Sequence, residues 1–145
     1  MTETSAGRRS APVVAVLGTG TMGAGMVGSL GRAGVPVRMW NRDASKARAL
    51  AGPNATACDS PAEAAKGADV VLTMLLDADA VVDTIRRAAP APGTVWLQCA
   101  TVGLEGAERT IAVARDLDLV LVDAPVMGTK KPAEDGMLVV LASGP

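Results

Sequence analysis

A short apolar run that breaks into a glycine-rich string limits the possible folds of this chain more than any other feature. Residues 13–17 are all apolar, and they lead directly into a Gly-x-Gly-x-x-Gly string formed by Gly18, Gly20 and Gly23. This order predicts a buried strand, a tight turn and the start of a helix. Gly18 would permit the turn, Gly20 would let a pyrophosphate approach the backbone, and Gly23 would let the helix pack closely on the strand. Because a helix N-terminus also favours anions, the string predicts a dinucleotide-binding domain.

The residues after the second predicted strand indicate which dinucleotide is bound. That strand covers residues 37–40 and is followed by Asn41 and Arg42. NAD-binding folds usually place Asp or Glu here to accept from the ribose 2′-OH, and a carboxylate would repel a 2′-phosphate. A guanidinium instead binds phosphate in a bidentate fork, and Lys46, one helical turn further on, would add a second positive charge. We therefore expect NADP as the cofactor. The alternative is that Arg42 and Lys46 form the solvated face of a short helix.

Composition limits both the core and the kinds of partner. Of the 145 residues, 49% are hydrophobic, yet the chain has no Phe, Tyr or His. The only aromatic residues are Trp40 and Trp96, so Val, Leu, Ile, Met and Ala must build the core. A net charge of −1, without aromatic residues interleaved among basic ones, gives no case for nucleic acid. Cys58 and Cys99 lack metal-ligand spacing, so we expect buried thiols in a reducing compartment and no metal site.

The N-terminal region superficially resembles an export signal. Arg8 and Arg9 precede residues 10–31, which carry no charge. This stretch is rich in glycine and has too few large apolar residues for a membrane-spanning helix, which needs about 20 mostly apolar positions. Burial of a parallel strand on both faces explains the lack of charge equally well. We predict a cytoplasmic protein without a membrane segment, with a flexible polar tail over residues 1–11 and an NADP-binding domain over residues 12–145.

Strand and helix signals alternate along the rest of the chain. The first helix ends at Gly34, Ser60-Pro61-Ala62-Glu63 is a capping box, and Asp77 or Asp79 opens a later helix. Such alternation produces parallel strands joined by right-handed crossovers. The predicted fold class is therefore α/β: a Rossmann-type, doubly wound, mostly parallel sheet with helices on both faces. Further strands are predicted at residues 70–74, 95–98, 119–122 and 137–141, and a helix at about residues 104–117.

Ligands of such sheets bind outside the carboxyl ends of the strands, so we weigh the residues there individually. Thr101 follows the strand predicted at residues 95–98; its hydroxyl either binds nicotinamide or its ribose, or caps the next helix. Lys130 and Lys131 follow the loop after the strand predicted at residues 119–122 and are interpreted as solvated charges. That loop would line a pocket for a small-molecule substrate, through the candidate residues Met127, Gly128 and Thr129.

Several motifs occur in an order that one family shares. They are Gly18-Thr19-Gly20-Thr21-Met22-Gly23-Ala24-Gly25-Met26, Asn41-Arg42 with Lys46, Met74-Leu75 with Asp77 and Val81, Thr101, and Asp123-Ala124-Pro125-Val126. Over residues 13–144 the chain resembles the N-terminal domain of the β-hydroxyacid dehydrogenases, a family that includes 3-hydroxyisobutyrate dehydrogenase and the glyoxylate/succinic semialdehyde reductases, with 6-phosphogluconate dehydrogenase as a relative. The resemblance implies that Thr101 contacts the nicotinamide side of NADP and that Leu75 and Leu76 line it. The predicted cofactor-binding residues are Gly18, Gly20, Thr21, Met22, Gly23, Asn41, Arg42, Lys46, Met74, Leu75, Leu76, Val81 and Thr101.

One departure from the family concerns the substrate. The family usually continues Asp-Ala-Pro-Val with Ser-Gly-Gly, whose serine and backbone amides hold a substrate carboxylate. This chain has Met127, Gly128 and Thr129 instead. The serine hydroxyl is absent unless Thr129 replaces it, and the methionine makes the pocket more apolar. The expected activity is hydride transfer between NADP(H) and a small β-hydroxyacid or aldehyde acid, with an imine reductase-like domain as the alternative.

The second departure concerns catalysis. No residue of this chain matches the family's proton-donating lysine, which lies on a helix beyond this domain, so no catalytic residue is predicted. The family's helical second domain, which closes the cleft and forms the dimer, is also not matched. Two hypotheses remain open: the cofactor domain of a larger oxidoreductase, or a stand-alone NADP-binding module without catalysis.

Overall fold

The computed structural model describes residues 10–145 of the chain. The tail predicted over residues 1–11 therefore lies outside the described residues, except for Ser10 and Ala11, which are exposed. The uncharged stretch of residues 10–31 contains the first strand and most of the first helix. Within the described part of the chain, no helix has both the length and the apolar character needed to cross a membrane.

Six parallel strands form the central sheet, in the spatial order third, second, first, fourth, fifth, sixth. The order reverses between the first and the fourth strand, and a reversal of this kind opens a crevice at the carboxyl edge of a sheet. The predicted Rossmann-type sheet is confirmed. The strands are β1 (Val14–Leu17), β2 (Val37–Trp40), β3 (Ala55–Ala57), β4 (Val70–Thr73), β5 (Val95–Gln98) and β6 (Val120–Asp123).

Helices cover both faces of the sheet and bury a separate apolar cluster on each. They are α1 (Thr21–Arg32), α2 (Ala44–Arg48), α3 (Pro61–Ala65), α4 (Ala78–Ala88), α5 (Gly103–Asp116) and α6 (Lys130–Glu134). One cluster joins Trp96 to residues of α3, α4 and α5. The other joins Met39 to residues of α1 and α2. The predicted doubly wound arrangement is therefore present, with aliphatic side chains and alanines forming most of the core.

Helix capping follows the sequence signals closely. The Ser60 Oγ atom accepts a hydrogen bond of 3.0 Å from the backbone N–H of Glu63, which starts α3. Of the two aspartates considered for α4, Asp77 is the cap, because its Oδ1 atom accepts from the N–H of Ala80 at 2.9 Å. Short polar side chains at an N-cap satisfy amides that the helix itself leaves unpaired.

Two features of the sheet differ from the pattern expected. β3, an edge strand of three residues, carries no apolar run and was not located from the sequence. The predicted strand over residues 137–141 is shorter, β8 (Val139–Val140), and it pairs antiparallel with β7 (Val126–Met127) outside the main sheet. The connection between β7 and β8 holds only the short α6, and antiparallel pairing suits such a short return, since a parallel crossover needs a dozen or more residues.

Candidate functional site

Two glycines of the β1–α1 loop are required by close backbone packing. Gly18 has a φ of +106°, and a Cβ there would lie 2.2 Å from the carbonyl oxygen of Met74. A Cβ on Gly23 would lie 1.9 Å from the carbonyl oxygen of Gly18. Both separations are far below any normal contact, so neither position accepts a side chain. These two residues give the loop its tight turn and its close approach of helix to strand.

Gly20 lies in a different environment from these two glycines. A Cβ built there meets nothing within 4 Å, and its φ of −68° and ψ of −163° are open to residues with side chains. As the N-cap of α1, Gly20 leaves the first turn without any side-chain acceptor. Thr21 and Met22 begin that turn. Open space in front of uncapped helix amides is what an anion needs, so these residues could hold the pyrophosphate of a dinucleotide.

Thr19, which the sequence analysis did not single out, is buried inside the same loop. It is only 3% exposed, and its Oγ1 atom has no hydrogen-bond partner among residues 10–145. Leaving such a group unpaired costs about 1–3 kcal/mol. The glycine loop therefore contains an unsatisfied polar atom, and such exceptions concentrate at functional sites.

The amide of Asn41 is used inside the protein. Its Oδ1 atom accepts from the backbone N–H of Thr19 at 2.9 Å, and its Nδ2 atom donates to the carbonyl oxygen of Asp43 at 3.0 Å. The end of β2 is thereby tied to the glycine loop. Asn41 therefore positions the glycine loop. It is also the uncharged residue that stands where NAD-binding folds usually have Asp or Glu.

Charged side chains follow Asn41 at the surface. Arg42 and Lys46 are exposed, and within the described residues neither forms an ion pair. Asp43 lies between them in the chain and caps α2 through bonds from Ser45. The Ser45 hydroxyl, joined by the Ser45 N–H and the charge of Lys46, holds the pKa of the Asp43 carboxyl below its usual value. The two cations expected from the sequence thus share this corner with a carboxylate.

The residues predicted beside the nicotinamide occupy the ends of β4 and β5. Leu75 is half-buried and Leu76 is 89% exposed. Thr101 is exposed, and the N-cap of α5 is Val102, whose helix has no side-chain cap. The helix-cap alternative for Thr101 is therefore wrong, and the residue is exposed beyond the carboxyl end of β5. Met74, also half-buried, contributes the carbonyl that packs on Gly18.

Val81 is the predicted cofactor residue that the structure does not bring to the site. It is 0% exposed and belongs to the core cluster under α3 and α4. A side chain with no accessible surface cannot touch a ligand without rearrangement of the core. The motif spacing correctly predicted that Val81 lies on a helix, α4. In the structure its side chain lies on the face of that helix that packs into the core.

The predicted substrate loop follows β6 and lies at the surface. Met127 is 59% exposed, and Gly128 has a φ of +136°, with Leu138 2.7 Å from the position of a Cβ. Thr129 is the N-cap of α6, although its side chain accepts no capping bond. Two ion pairs then follow within α6, Lys130 to Glu134 at 3.8 Å and Lys131 to Asp135 at 2.9 Å. The expectation that both lysines are solvated charges is confirmed.

Comparison with known families agrees with this geometry. The family described as the NAD binding domain of 6-phosphogluconate dehydrogenase matches residues 13–145, and the chain belongs to it. A dinucleotide-binding domain of the hydroxyacid dehydrogenase and reductase class is therefore shown.

Individual relatives include both reductases and dehydrogenases. Glyoxylate/succinic semialdehyde reductase 1 of Arabidopsis thaliana is 34% identical over 90% of this chain and 47% of its own length. NAD-dependent L-serine dehydrogenase of Pseudomonas aeruginosa is 34% identical over 90% of this chain and 46% of its own. The structure of Mycobacterium tuberculosis 3-hydroxyisobutyrate dehydrogenase with L-serine has a TM-score of 0.89 and 30% identity, covering 94% of this chain and 47% of that one. The chain thus spans less than half the length of these relatives.

Proposed function

We propose that this domain binds NADP(H), with the pyrophosphate in the space before Gly20 and the 2′-phosphate at Arg42 and Lys46. The observation that carries the proposal is a contrast among the three glycines of the loop. Gly18 and Gly23 pack against backbone atoms, whereas Gly20, at the start of α1, has free space in front of it. The choice of NADP over NAD rests on two exposed cations that have no ion-pair partner within residues 10–145. Asp43 opposes that choice, so the expected preference is moderate.

Nicotinamide, when bound, supplies or accepts a hydride, and the protein contributes its position. Thr101 would hydrogen-bond the nicotinamide or its ribose, and Leu75 and Leu76 would cover one side of the ring and exclude water. We propose no residue of this domain as the proton donor. The chain has no His or Tyr, and the two lysines after the substrate loop point into ion pairs with their own helix.

We propose that the complete protein is an oxidoreductase acting on a small β-hydroxyacid or aldehyde acid, and that chain beyond this domain supplies the proton donor. The names of the relatives support this class, as does the surface loop that follows β6. The antiparallel β7–β8 pair and the residues next to it also present several large apolar side chains to solvent, as expected of a surface that more protein covers. They are Met127, Met137, Val139, Val140 and Leu141.

The same loop supports one alternative substrate class. Met127 stands where a carboxylate-binding serine was expected, and its exposed thioether side chain gives an apolar surface without a hydrogen-bond donor. A cyclic imine would suit such a surface better than a carboxylate. Assays of the complete protein should therefore include both an aldehyde acid and a cyclic imine.

We also propose a cytoplasmic location. Cys58 and Cys99 are both buried free thiols, as expected of a reducing compartment. Fractionation of cells that express the complete protein tests this directly.

The cofactor proposal is tested by calorimetric titration of NADPH and NADH into the wild-type domain and Arg42→Ala. Wild type should bind NADPH more tightly, and the variant should lose about tenfold or more for NADPH with little change for NADH, because only NADPH carries the 2′-phosphate. Arg115→Ala is a matched control, since Arg115 lies in the last turn of α5, away from the carboxyl edge. Equal wild-type affinities for the two dinucleotides would refute the preference.

A further inference from the structure

Three buried polar side chains form a hydrogen-bonded chain just below the segment that leads to Thr101. Thr73 of β4 and Trp96 and Gln98 of β5 are each 0% exposed. Thr73 and Gln98 are register partners on neighbouring strands, and Trp96 lies two residues before Gln98. Because side chains alternate along a strand, all three lie on the same face of the sheet.

The hydrogen bonds run from Trp96 through Thr73 to Gln98, and the Gln98 amide is bound on both sides to the backbone of Ala100. The indole Nε1 atom of Trp96 donates to the Thr73 Oγ1 atom at 2.9 Å, and the Thr73 hydroxyl donates to the Gln98 Oε1 atom at 3.0 Å. Gln98 then binds Ala100 twice. Its Oε1 atom accepts from the Ala100 N–H at 2.9 Å, and its Nε2 atom donates to the Ala100 carbonyl at 2.9 Å.

The orientation of the Gln98 amide is determined by these partners. Exchanging its oxygen and nitrogen would set an NH₂ group against the N–H of Ala100 and a carbonyl against a carbonyl. The Thr73 hydroxyl, which already accepts from Trp96, has its single proton available for Oε1. Every polar atom of the network therefore has a partner, which makes a buried network of this kind rigid.

Ala100 lies just beyond β5, where the ladder of the sheet no longer constrains the chain. Its N–H and its carbonyl both bond to the Gln98 side chain, so the side-chain amide of Gln98 provides the hydrogen bonds that a neighbouring strand would otherwise provide. Thr101 is the next residue and is exposed at the crevice. The direction in which the chain leaves the sheet, and hence the place of the Thr101 hydroxyl, follows from the Gln98 amide.

We propose that Gln98 is a positioning residue that holds Thr101 beside the nicotinamide half of the cofactor, with Thr73 and Trp96 fixing its amide. The proposal rests on the proposed function, because it takes Thr101 as the contact to that half. Gln98 takes no chemical step in this proposal, because its side chain is fully buried.

The decisive variant is Gln98→Glu, which keeps the shape of the side chain and replaces its NH₂ group with an oxygen. A protonated Glu can donate to the Ala100 carbonyl as the amide does, whereas an ionised one sets a negative oxygen against that carbonyl. Burial raises the pKa of a carboxyl above its usual value of about 4.3. The introduced Glu should therefore ionise within a pH range in which binding can be measured. We expect the NADPH affinity of the variant to match wild type near pH 5 and to fall at least tenfold by pH 8.

Adenosine 2′,5′-bisphosphate, which lacks the nicotinamide half, provides the internal control. Its affinity should have the same pH profile in Gln98→Glu as in wild type. Thr73→Val, which removes only the hydroxyl link, should also lose affinity for NADPH and not for the adenosine fragment. Thr84→Val is its matched control, because Thr84 is a buried threonine of α4 outside the network.

Amide hydrogen exchange of Ala100 supplies a readout that needs no cofactor. Exchange should be slow in wild type and should accelerate in Gln98→Met, which keeps the length of the side chain and removes the acceptor of the Ala100 N–H. Equal weakening of NADPH and the adenosine fragment in Gln98→Glu and Thr73→Val, or an Ala100 amide as protected in Gln98→Met as in wild type, would overturn the proposal. If wild type binds neither ligand, the proposed function fails instead, and the exchange data still decide whether Gln98 holds Ala100.

Discussion

The side-chain oxygen of Asn41 accepts a hydrogen bond of 2.9 Å from the backbone N–H of Thr19, and this bond joins the end of β2 to the glycine loop. The amide nitrogen of the same side chain donates to the carbonyl of Asp43. A carboxylate at this position would keep the first bond and lose the second. Asn41 therefore connects the geometry of the glycine loop with the charged corner at Arg42, Asp43 and Lys46.

Substitutions of Asn41 should separate these two roles. Asn41→Ala removes the tether of the loop, so NADPH and NADH affinities should fall by a similar factor. Asn41→Asp keeps the acceptor for Thr19 and adds a negative charge, so NADPH should weaken more than NADH. Titration of both dinucleotides into both variants measures this, and a larger loss for NADH than for NADPH in Asn41→Asp would contradict it.

Asp43 should reduce the preference for a 2′-phosphate. Asp43→Asn removes the charge next to Arg42 and retains a side chain that caps helices well, so α2 should persist. The ratio of NADPH to NADH affinity should rise in this variant, more at low salt than at high salt, because exposed charges are screened. Asp116→Asn, a charge change in the last turn of α5, should leave the ratio unchanged. A ratio that stays constant in Asp43→Asn as well would show that this carboxylate does not influence the site.

Cys99 should make stability depend on alkaline pH. Burial, with a smaller effect from the charge of Asp123, raises the pKa of the Cys99 thiol from about 9 to about 12. The native state thus retains a proton that the unfolded state loses above about pH 9. The free energy of unfolding should therefore fall as pH rises from about 9 towards 12.

Denaturant unfolding at several pH values tests the effect of Cys99. Cys99→Ala should remove this component of the slope, whereas Cys58→Ala should retain it. The native Cys99 thiol should also react slowly with thiol reagents at pH 8, since the thiolate is the reactive form. Rapid labelling of native Cys99 at that pH would show that the thiol is neither buried nor protonated.

Local signals in the sequence were sufficient to predict most of the fold. Short-range structure follows from the Gly-x-Gly-x-x-Gly string, the caps Ser60 and Asp77 and the apolar strand runs. The parallel direction of the strands follows from the alternation of strands and helices. β3 was missed because an edge strand of three residues needs no apolar run. The antiparallel β7–β8 pair depends on a contact between two short segments on either side of α6, which local patterns do not reveal.

The candidate site was predicted less completely, for a physical reason. Val81 lies on the expected helix, but which helix face is buried depends on packing against α3. The bond from the Thr19 N–H to Asn41 and the bonds that join Thr73 to Trp96 and Gln98 link residues more than 20 positions apart, so only the folded chain brings them together. Asp43, by contrast, directly follows Arg42 in the sequence, and its charge could have been weighed there. Residue types at motif positions therefore indicated which class of ligand to expect. Tertiary contacts determine which of the predicted side chains are accessible to such a ligand.

The central claim, that a dinucleotide pyrophosphate occupies the open space before Gly20, is tested most directly by NADPH titration of Gly20→Val. The φ and ψ of Gly20 are accessible to valine and a Cβ there meets no atom, so the variant should fold, with a circular dichroism spectrum and Tm close to those of wild type. Gly18→Ala is the contrasting variant and should lose stability, because its Cβ would overlap the Met74 carbonyl. The account predicts that folded Gly20→Val binds neither NADPH nor NADH. Wild-type affinity for NADPH in that folded variant would contradict it.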